Sequence, residues 1–358
     1  MNINRSLTLP RGFCFSPELG AEFQLRPIFN SFGNLTHGEL FLPKLGGVSV
    51  VKAPISDIKF WAAENKAELC VLINTLLERV ARPSKTFAGL SLAEPVLMGV
   101  LNVTPDSFHD GGQFYDHDTA VSHGKRLINA GAEIVDIGGE STRPGAQPIS
   151  VQEEVDRILP VIERLATEDV LISVDTRRAT VMREALAAGA AIVNDVTALS
   201  DDGAVRLVKE SGASAIIMHM QGIPTTMQKN PSYENAPYEI STFLTKKVIE
   251  LENAGFPLER IAVDPGIGFG KTDAHNFAIL RSISMLHGIG TAVVIGASRK
   301  SFIGRTAEVE STQSRLPGTI AATLHAVSQG TQIHRVHDVA EVKQALKIWQ
   351  QSRLETIY

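Results

Sequence analysis

Ile261-Ala262-Val263-Asp264-Pro265-Gly266-Ile267-Gly268-Phe269-Gly270-Lys271 is a short apolar run that stops on an acid and turns through three glycines. With Arg260 before it, the run has the length and character of a buried strand. Glycine lets the backbone turn hard at the strand end and approach a ligand closely. Asp264, at the tip, can accept two hydrogen bonds from a planar group with adjacent N–H donors. The same design recurs on both sides of this stretch. Before it come Asn102-Val103-Thr104-Pro105-Asp106-Ser107-Phe108, Asp136-Ile137-Gly138-Gly139-Glu140-Ser141-Thr142-Arg143-Pro144-Gly145, Ser173-Val174-Asp175-Thr176, Asn194-Asp195-Val196 and Met218-His219-Met220. After it come Ser298-Arg299-Lys300-Ser301 and Arg335-Val336-His337-Asp338. Each stands where an apolar run ends. When successive parallel strands carry polar groups at their carboxyl ends, all of them face one mouth, which in a (β/α)8 barrel is where catalysis sits.

The intervening pattern supports that fold. Strand-like runs are Val96 to Val103, Ala132 to Ile137, Val170 to Val174, Ala191 to Val196, Ser214 to His219, Arg260 to Asp264, Thr291 to Gly296 and Thr331 to Val336. Helical spacing fills most of the gaps, over Asp118–Ala130, Val151–Ala166, to about Ala188, through Ser211, from Pro237 to about Ala254, and from Val339 to Gln351. A long polar loop, Gln221 to Pro237, follows the fifth run. About eight such units favour a closed α/β barrel over an open doubly wound sheet. An open dinucleotide-binding sheet should carry Gly-x-Gly-x-x-Gly after its first strand, and Asn102-Val103-Thr104 stands there instead. Residues 91–358 are therefore predicted to form the TIM barrel. Residues 1–90 read as a small α+β extension, with β-like Leu25 to Val51, turns at Gly33-Asn34 and Gly46-Gly47, and a helix from about Ser56. Arg82 to Thr86 reads as a linker, and nothing in the extension translates into chemistry.

Composition narrows the function. Apolar residues make up 44% and charged residues 20%, enough to bury a substantial core. A net charge of -5 argues against a general nucleic-acid binder. The only cysteines are Cys14 and Cys70, which rules out a disulfide framework. No apolar run approaches the ~20 residues of a membrane helix, and the opening residues lack a secretory pattern. A cytoplasmic protein is expected. There is no His-Glu-x-x-His, no paired Cys-x-x-Cys and no Gly-x-Ser-x-Gly elbow, so neither a transition-metal site nor a serine hydrolase is indicated. His109, His117, His123, His275 and His287 show no ligand spacing and read as surface or packing residues.

The strand ends suggest a site. Asp175, Asn194 and Asp264, from three different strands, can ring one heterocycle with acceptors and an amide. Singly, any of them reads as well as a helix N-cap. Lys300 can donate to a ring carbonyl or nitrogen, although a solvated lysine is the ordinary case. Arg335 and His337 follow the eighth strand, where barrels often hold phosphate. Asn102 lies beside them once the barrel closes, and its amide oxygen suits Mg²⁺, a hard cation that favours oxygen and substrate phosphates. The segments Thr104–Gly112 and Gly139–Gly145 read as mobile loops that exclude water.

Taken in order, the motifs at 102–108, 139–145, 264–271, 298–301 and 335–338 resemble those of the dihydropteroate synthases, from about Pro95 to Ser352. The resemblance implies a folate-biosynthesis transferase that joins 6-hydroxymethyl-7,8-dihydropterin diphosphate to 4-aminobenzoate with Mg²⁺, as a homodimer through outer helices, and a sulfonamide target. It places a pterin pocket on Asp175, Asn194, Asp264 and Lys300. It places a diphosphate site on Asn102, Arg335 and His337, with Thr142 nearby. It places an aminobenzoate pocket on Phe269 and Ser301, closed by Phe108, Asp110, Arg143 and Pro144. His109 departs from the small polar residue usual in the first loop and is expected to alter closure or affinity for aminobenzoate and its mimics. A corrinoid-type pterin methyltransferase and a silent pterin-binding paralogue are the alternative readings.

Overall fold

In each barrel strand one set of alternate residues is turned inward and the other outward, because side chains alternate across a strand. The computed structural model describes residues 5–6, 9–10, 15–30, 33–44, 47–104, 117–141 and 146–353. In it, eight parallel strands close a barrel: β7 (Val96–Asn102), β8 (Ile134–Gly138), β9 (Leu171–Asp175), β10 (Ile192–Asp195), β11 (Ser214–Met218), β12 (Ile261–Asp264), β13 (Ala292–Ile295) and β14 (Ile333–Val336). β14 pairs with β7 to complete the ring. The outward set, including Leu97, Leu101, Val135, Ile137, Ile172, Val174, Val193, Ile217 and Val263, packs under the helices in one large cluster. The inward set is apolar toward the amino ends, with Met98, Ile134, Ile192, Ile216, Ala262, Val294 and Ile333. Toward the carboxyl ends it turns polar.

Helices α3 (His117–Asn129), α4 (Val151–Leu165), α5 (Ala179–Ala187), α6 (Ala204–Ser211), α7 (Ala236–Asn253), α8 (Asp273–Leu280), α10 (Leu316–Ser328) and α11 (Val339–Gln351) cover the outside. Their starts are set locally. Ser150 accepts from Glu153 N at 3.1 Å and Asn235 from Tyr238 N at 3.2 Å, while Thr272 and His275 form a reciprocal capping box. The seventh unit has two helices, a short α9 (Ser301–Ala307) and then α10, where the spacing alone gave none. No described helix is long and apolar enough to cross a membrane.

The first residues make a four-stranded sheet, ordered β1 (Arg5–Ser6), β4 (Gly47–Pro54), β3 (Leu35–Lys44) and β2 (Gln24–Phe29). Two helices, α1 (Ile55–Asn65) and α2 (Ala67–Ala81), back it, and Lys66 is extended between them. The sheet and helices share their own core, including Leu25, Leu40, Ile58, Leu69 and Ile73. A small hairpin, β5 (Thr86–Phe87) with β6 (Leu90–Ser91), comes next. Its Phe87 is fully buried among the inward residues at the amino end of the barrel. The segment read as a linker thus ends in a strand that plugs the barrel floor.

Candidate active site

Strand register sets the layout. Asn102 pairs with Gly138, Gly138 with Asp175, and Asp175 with Asn194, so one row crosses four strands at the mouth. Asp264 ends β12 opposite Met218. Gly138 is the smallest member of the row, and a Cβ there would stand 3.4 Å from the Asp175 Cβ.

The polar floor is a tight network. Arg335 Nε donates to Asp136 Oδ2 at 2.6 Å and Arg335 Nη2 to Asp175 Oδ2 at 2.7 Å. Asp136 also accepts from Ser173 Oγ at 2.7 Å and Asn194 Nδ2 at 3.1 Å. Arg335 therefore joins the acids of the expected heterocycle pocket directly, where the sequence set it apart with His337. Burial alone would lower its guanidinium, but Asp136 and Asp175 outweigh that and hold it above its ordinary value. Burial pushes Asp175 up to about 7 against the opposing pull of Arg335, with Asp136 adding to the rise. Asp175 Oδ1 is buried and has no hydrogen-bond partner among the described residues. A buried acceptor left unanswered is costly, and it suits the N–H of a ligand.

Asp264 Oδ1 accepts from Gly266 N at 2.7 Å. Burial raises its pKa, while that bond and the cations Lys300, Arg335 and Lys271 pull the other way. Gly296 leaves space between two of these groups, since a Cβ there would be 3.8 Å from both Arg335 and Asp264 Oδ2. Lys300 runs along the glycine turn, its Cδ 3.2 Å from where a Gly268 Cβ would stand. Its ammonium sits 4.0 Å from the centre of the Phe269 ring. Arg299, just before it, has a φ of 55°, strained for a residue with a side chain. The strain is held by Asp338 on the guanidinium, Thr319 Oγ1 on the N–H (2.9 Å) and Arg315 on the carbonyl (3.0 Å). Ser301 is exposed at the start of α9. His337 Nδ1 lies 2.9 Å from Ser298 Oγ, and Asn102 is half-buried at the end of β7.

The structure thus gathers Asp175, Asn194, Asp264, Lys300, Arg335 and Phe269 around one mouth. Phe108, His109, Asp110, Thr142, Arg143 and Pro144 lie outside the described residues. Three residues with a part in this architecture had no role of their own in the sequence reading. Asp136 is one; its place as a charge two residues before the end of an apolar strand was the available signal. The others are Glu140 and Arg178. Glu140 Oε1 accepts from Arg178 Nη2 at 2.7 Å and from Ile149 N at 3.3 Å, and Arg178 Nη2 also donates to Ile149 O at 2.7 Å. This clamp ties together the two flanks of the second loop.

Fold and floor together define a barrel enzyme whose mouth presents buried acceptors suited to a flat ligand rich in N–H donors, with a guanidinium and an ammonium beside them. The chain belongs to the pterin binding enzyme family, whose family model matches residues 98–337. The dihydropteroate synthase of Escherichia coli K12 is 44% identical over 73% of this chain and 92% of its own length. Two solved structures are similar. One is a Yersinia pestis dihydropteroate synthase with a sulfonamide drug complex (TM-score 0.70, 44% identity, 74% of this chain and 96% of that one). The other is a Xanthomonas albilineans dihydropteroate synthase with 4-aminobenzoic acid (TM-score 0.71, 43% identity, 75% and 96%).

Proposed function

We infer that this chain acts as a dihydropteroate synthase, a transferase of folate biosynthesis. It condenses 6-hydroxymethyl-7,8-dihydropterin diphosphate with 4-aminobenzoate to give 7,8-dihydropteroate and diphosphate. The observation that carries the reading is the ring of acceptors at three strand ends, Asp175, Asn194 and Asp264, with Asp175 Oδ1 buried and unanswered.

The reaction needs a carbon–oxygen bond to break and a carbon–nitrogen bond to form. Asp175, Asn194 and Asp264 bind the pterin N–H groups, and Lys300 donates to its ring acceptors. The bond between the pterin methylene and the diphosphate oxygen breaks first, and its electron pair leaves with diphosphate. Arg335 and His337 stabilise the departing negative charge, an electrostatic role of the oxyanion type. Asp175 and Asp264 stand on rigid strands and stabilise the positive charge left on the pterin without reorganising. The arylamine nitrogen, held in line beside Phe269 and Ser301, bonds to the methylene carbon and sheds a proton. Residues of both loops, Phe108, Asp110, Thr142, Arg143 and Pro144, belong to the same reading as the closing wall.

Mg²⁺ fits the donor set. Asn102 offers a hard amide oxygen at the strand beside Arg335, and one protein oxygen plus substrate phosphates is how Mg²⁺ is often held. Bound there, it would neutralise diphosphate charge. The same reading includes a homodimer through α10 and α11 and a cytoplasmic location. An apolar groove between those helices supports the first; a chain with only two cysteines is in keeping with the second.

Wild-type protein given the pterin diphosphate, 4-aminobenzoate and Mg²⁺ is expected to release diphosphate and form dihydropteroate. Asp264→Ala should abolish pterin-diphosphate binding by calorimetry. Near-normal binding by that variant would defeat the role given to Asp264, and a silent wild type would defeat the reading itself.

A further inference from the structure

One buried cation has no part in the chemistry above. Lys271 closes the glycine-rich motif, and its side chain is 2% exposed. Its Nζ lies 2.9 Å from Phe269 O, 3.3 Å from His219 O and 3.1 Å from His219 Nδ1. An ammonium carries three N–H donors, and three acceptors stand within reach. Burial lowers its pKa to about 7 against the pull of Asp264. Even the neutral amine keeps N–H donors for the two carbonyls. Burial, with Lys271 adding to it, pushes His219 down to about 3, so the imidazole is neutral and its Nδ1 can accept. The two acceptor residues follow different strands, His219 after β11 and Phe269 after β12. Lys271 therefore ties two neighbouring strand ends together.

The contact is already as close as backbones allow. A Cβ on Gly266, whose φ is 69°, would fall 2.0 Å from His219 O. Two further side chains, both from the long loop after β11, hold the same turn. Gln228 Nε2 donates to Gly268 O at 2.6 Å and Tyr233 Oη to Gly270 O at 2.9 Å. The carbonyls of Gly268, Phe269 and Gly270 thus each receive a side-chain donor in succession. The middle one belongs to the residue whose ring faces Lys300.

We propose that Lys271 is a positioning residue for the arylamine substrate, a strut that locks the backbone of Phe269 and so fixes the ring against which 4-aminobenzoate packs. Lys271 touches neither substrate. The proposal rests on the dihydropteroate synthase reading and adds a specificity device to it. A residue serving stability alone would weaken both substrates together when removed. A strut under Phe269 affects the arylamine more than the pterin, because the pterin acceptors stand on β9, β10 and β12 themselves and Lys271 acts on one of them, Asp264, only through its charge, beside Lys300 and Arg335.

The test is Lys271→Met, which keeps most of the stem and removes the ammonium. The KM for 4-aminobenzoate is expected to rise about tenfold or more, the loss typical of a hydrogen bond to a charged group. Binding of the pterin diphosphate by calorimetry should stay within about twofold. Equal losses for both substrates, or an unchanged aminobenzoate KM, overturn the proposal. Tyr233→Phe removes only the neighbouring hydroxyl and decides the matter even where the lysine variant does not fold. It should raise the aminobenzoate KM about fivefold with pterin binding intact, and no change overturns the strut. A wild type that turns over while either variant matches it sinks the strut alone. A wild type with no turnover sinks the parent reading, and the strut with it.

Discussion

Burying a carboxylate costs several kcal/mol unless its lone pairs are answered, and at Asp136 they are. Ser173, Asn194 and Arg335 all donate to it, and no water-facing surface is left. Asp136 never reaches the mouth, yet it orients both the Asn194 amide and the Arg335 guanidinium, the groups proposed to meet pterin and diphosphate. Asp136→Asn keeps the shape but turns an acceptor pair into one acceptor and one donor. Its NH2 can turn to the Ser173 hydroxyl, which then accepts, so the loss falls on the Arg335 charge, left with Asp175 as its one hydrogen-bonded counter-ion. Turnover is expected to fall at least about tenfold, and the urea midpoint to drop by the equivalent of about 3–5 kcal/mol, the usual cost of breaking a buried pair. Unchanged values of both would show that Arg335 is held by Asp175 alone. The strand-end residues Asp175, Asn194 and Asp264 were legible because each interrupts an apolar run where a ligand would sit, and Lys300 because it stands in the polar motif that follows one. Asp136 was not, because one acid inside a strand carries no sign of what it faces. Its partners lie 37, 58 and 199 residues away.

At the scale of elements, alternation and caps made the barrel strands readable, since both faces of each strand are buried and the runs are nearly continuous. Several elements escaped, α8, α9 and α10 among them. Lys66 breaks one expected helix into α1 and α2, and its ammonium bonds to Phe15 O at 2.8 Å, a tertiary contact that local propensity does not encode. The β5–β6 hairpin escaped because its two-residue strands are too short to show a period. It matters for stability rather than chemistry. Phe87 fills the amino end of the barrel, away from the strand tips that carry Asp175 and Asp264. Phe87→Ala should cost about 3–5 kcal/mol in a urea titration, the range for emptying a buried phenyl site. KM for both substrates should stay within about twofold where the variant is folded. A stability loss under about 1 kcal/mol would mean that the floor collapses to fill the space.

At the scale of the molecule, the first residues are joined to the barrel through α7 and the 3-10 turn Ile283–Ile289. Gln24 accepts from Ser241 at 2.6 Å and donates to Thr245 at 3.1 Å, Phe41 stacks on Tyr238, and Arg79 donates to Ile289 O at 2.9 Å. The sequence showed a separate unit but not its seat, because such contacts join residues some two hundred positions apart. The helices α10 and α11 have a different problem. Their barrel-facing sides are already used, by Thr319, Thr323 and Ala326 on one and Val339, Val342 and Leu346 on the other. Beyond these, Leu316, Ile320, Leu324, Ile348 and Trp349 line a groove on the outer surface, and Ile348 is 69% exposed. Two apolar faces on one helix pair are more than a lone barrel needs, and a contiguous exposed patch favours association. A second copy, docking the same surface in an isologous pair, would bury the groove on both sides at once. Ile348→Glu would set two charges against each other across the two-fold axis, where burial penalises them most. Sedimentation velocity at micromolar concentration should give a dimer for the wild type and a monomer for the variant, with unchanged far-ultraviolet circular dichroism. A wild type that sediments as a monomer would leave the groove without this occupant.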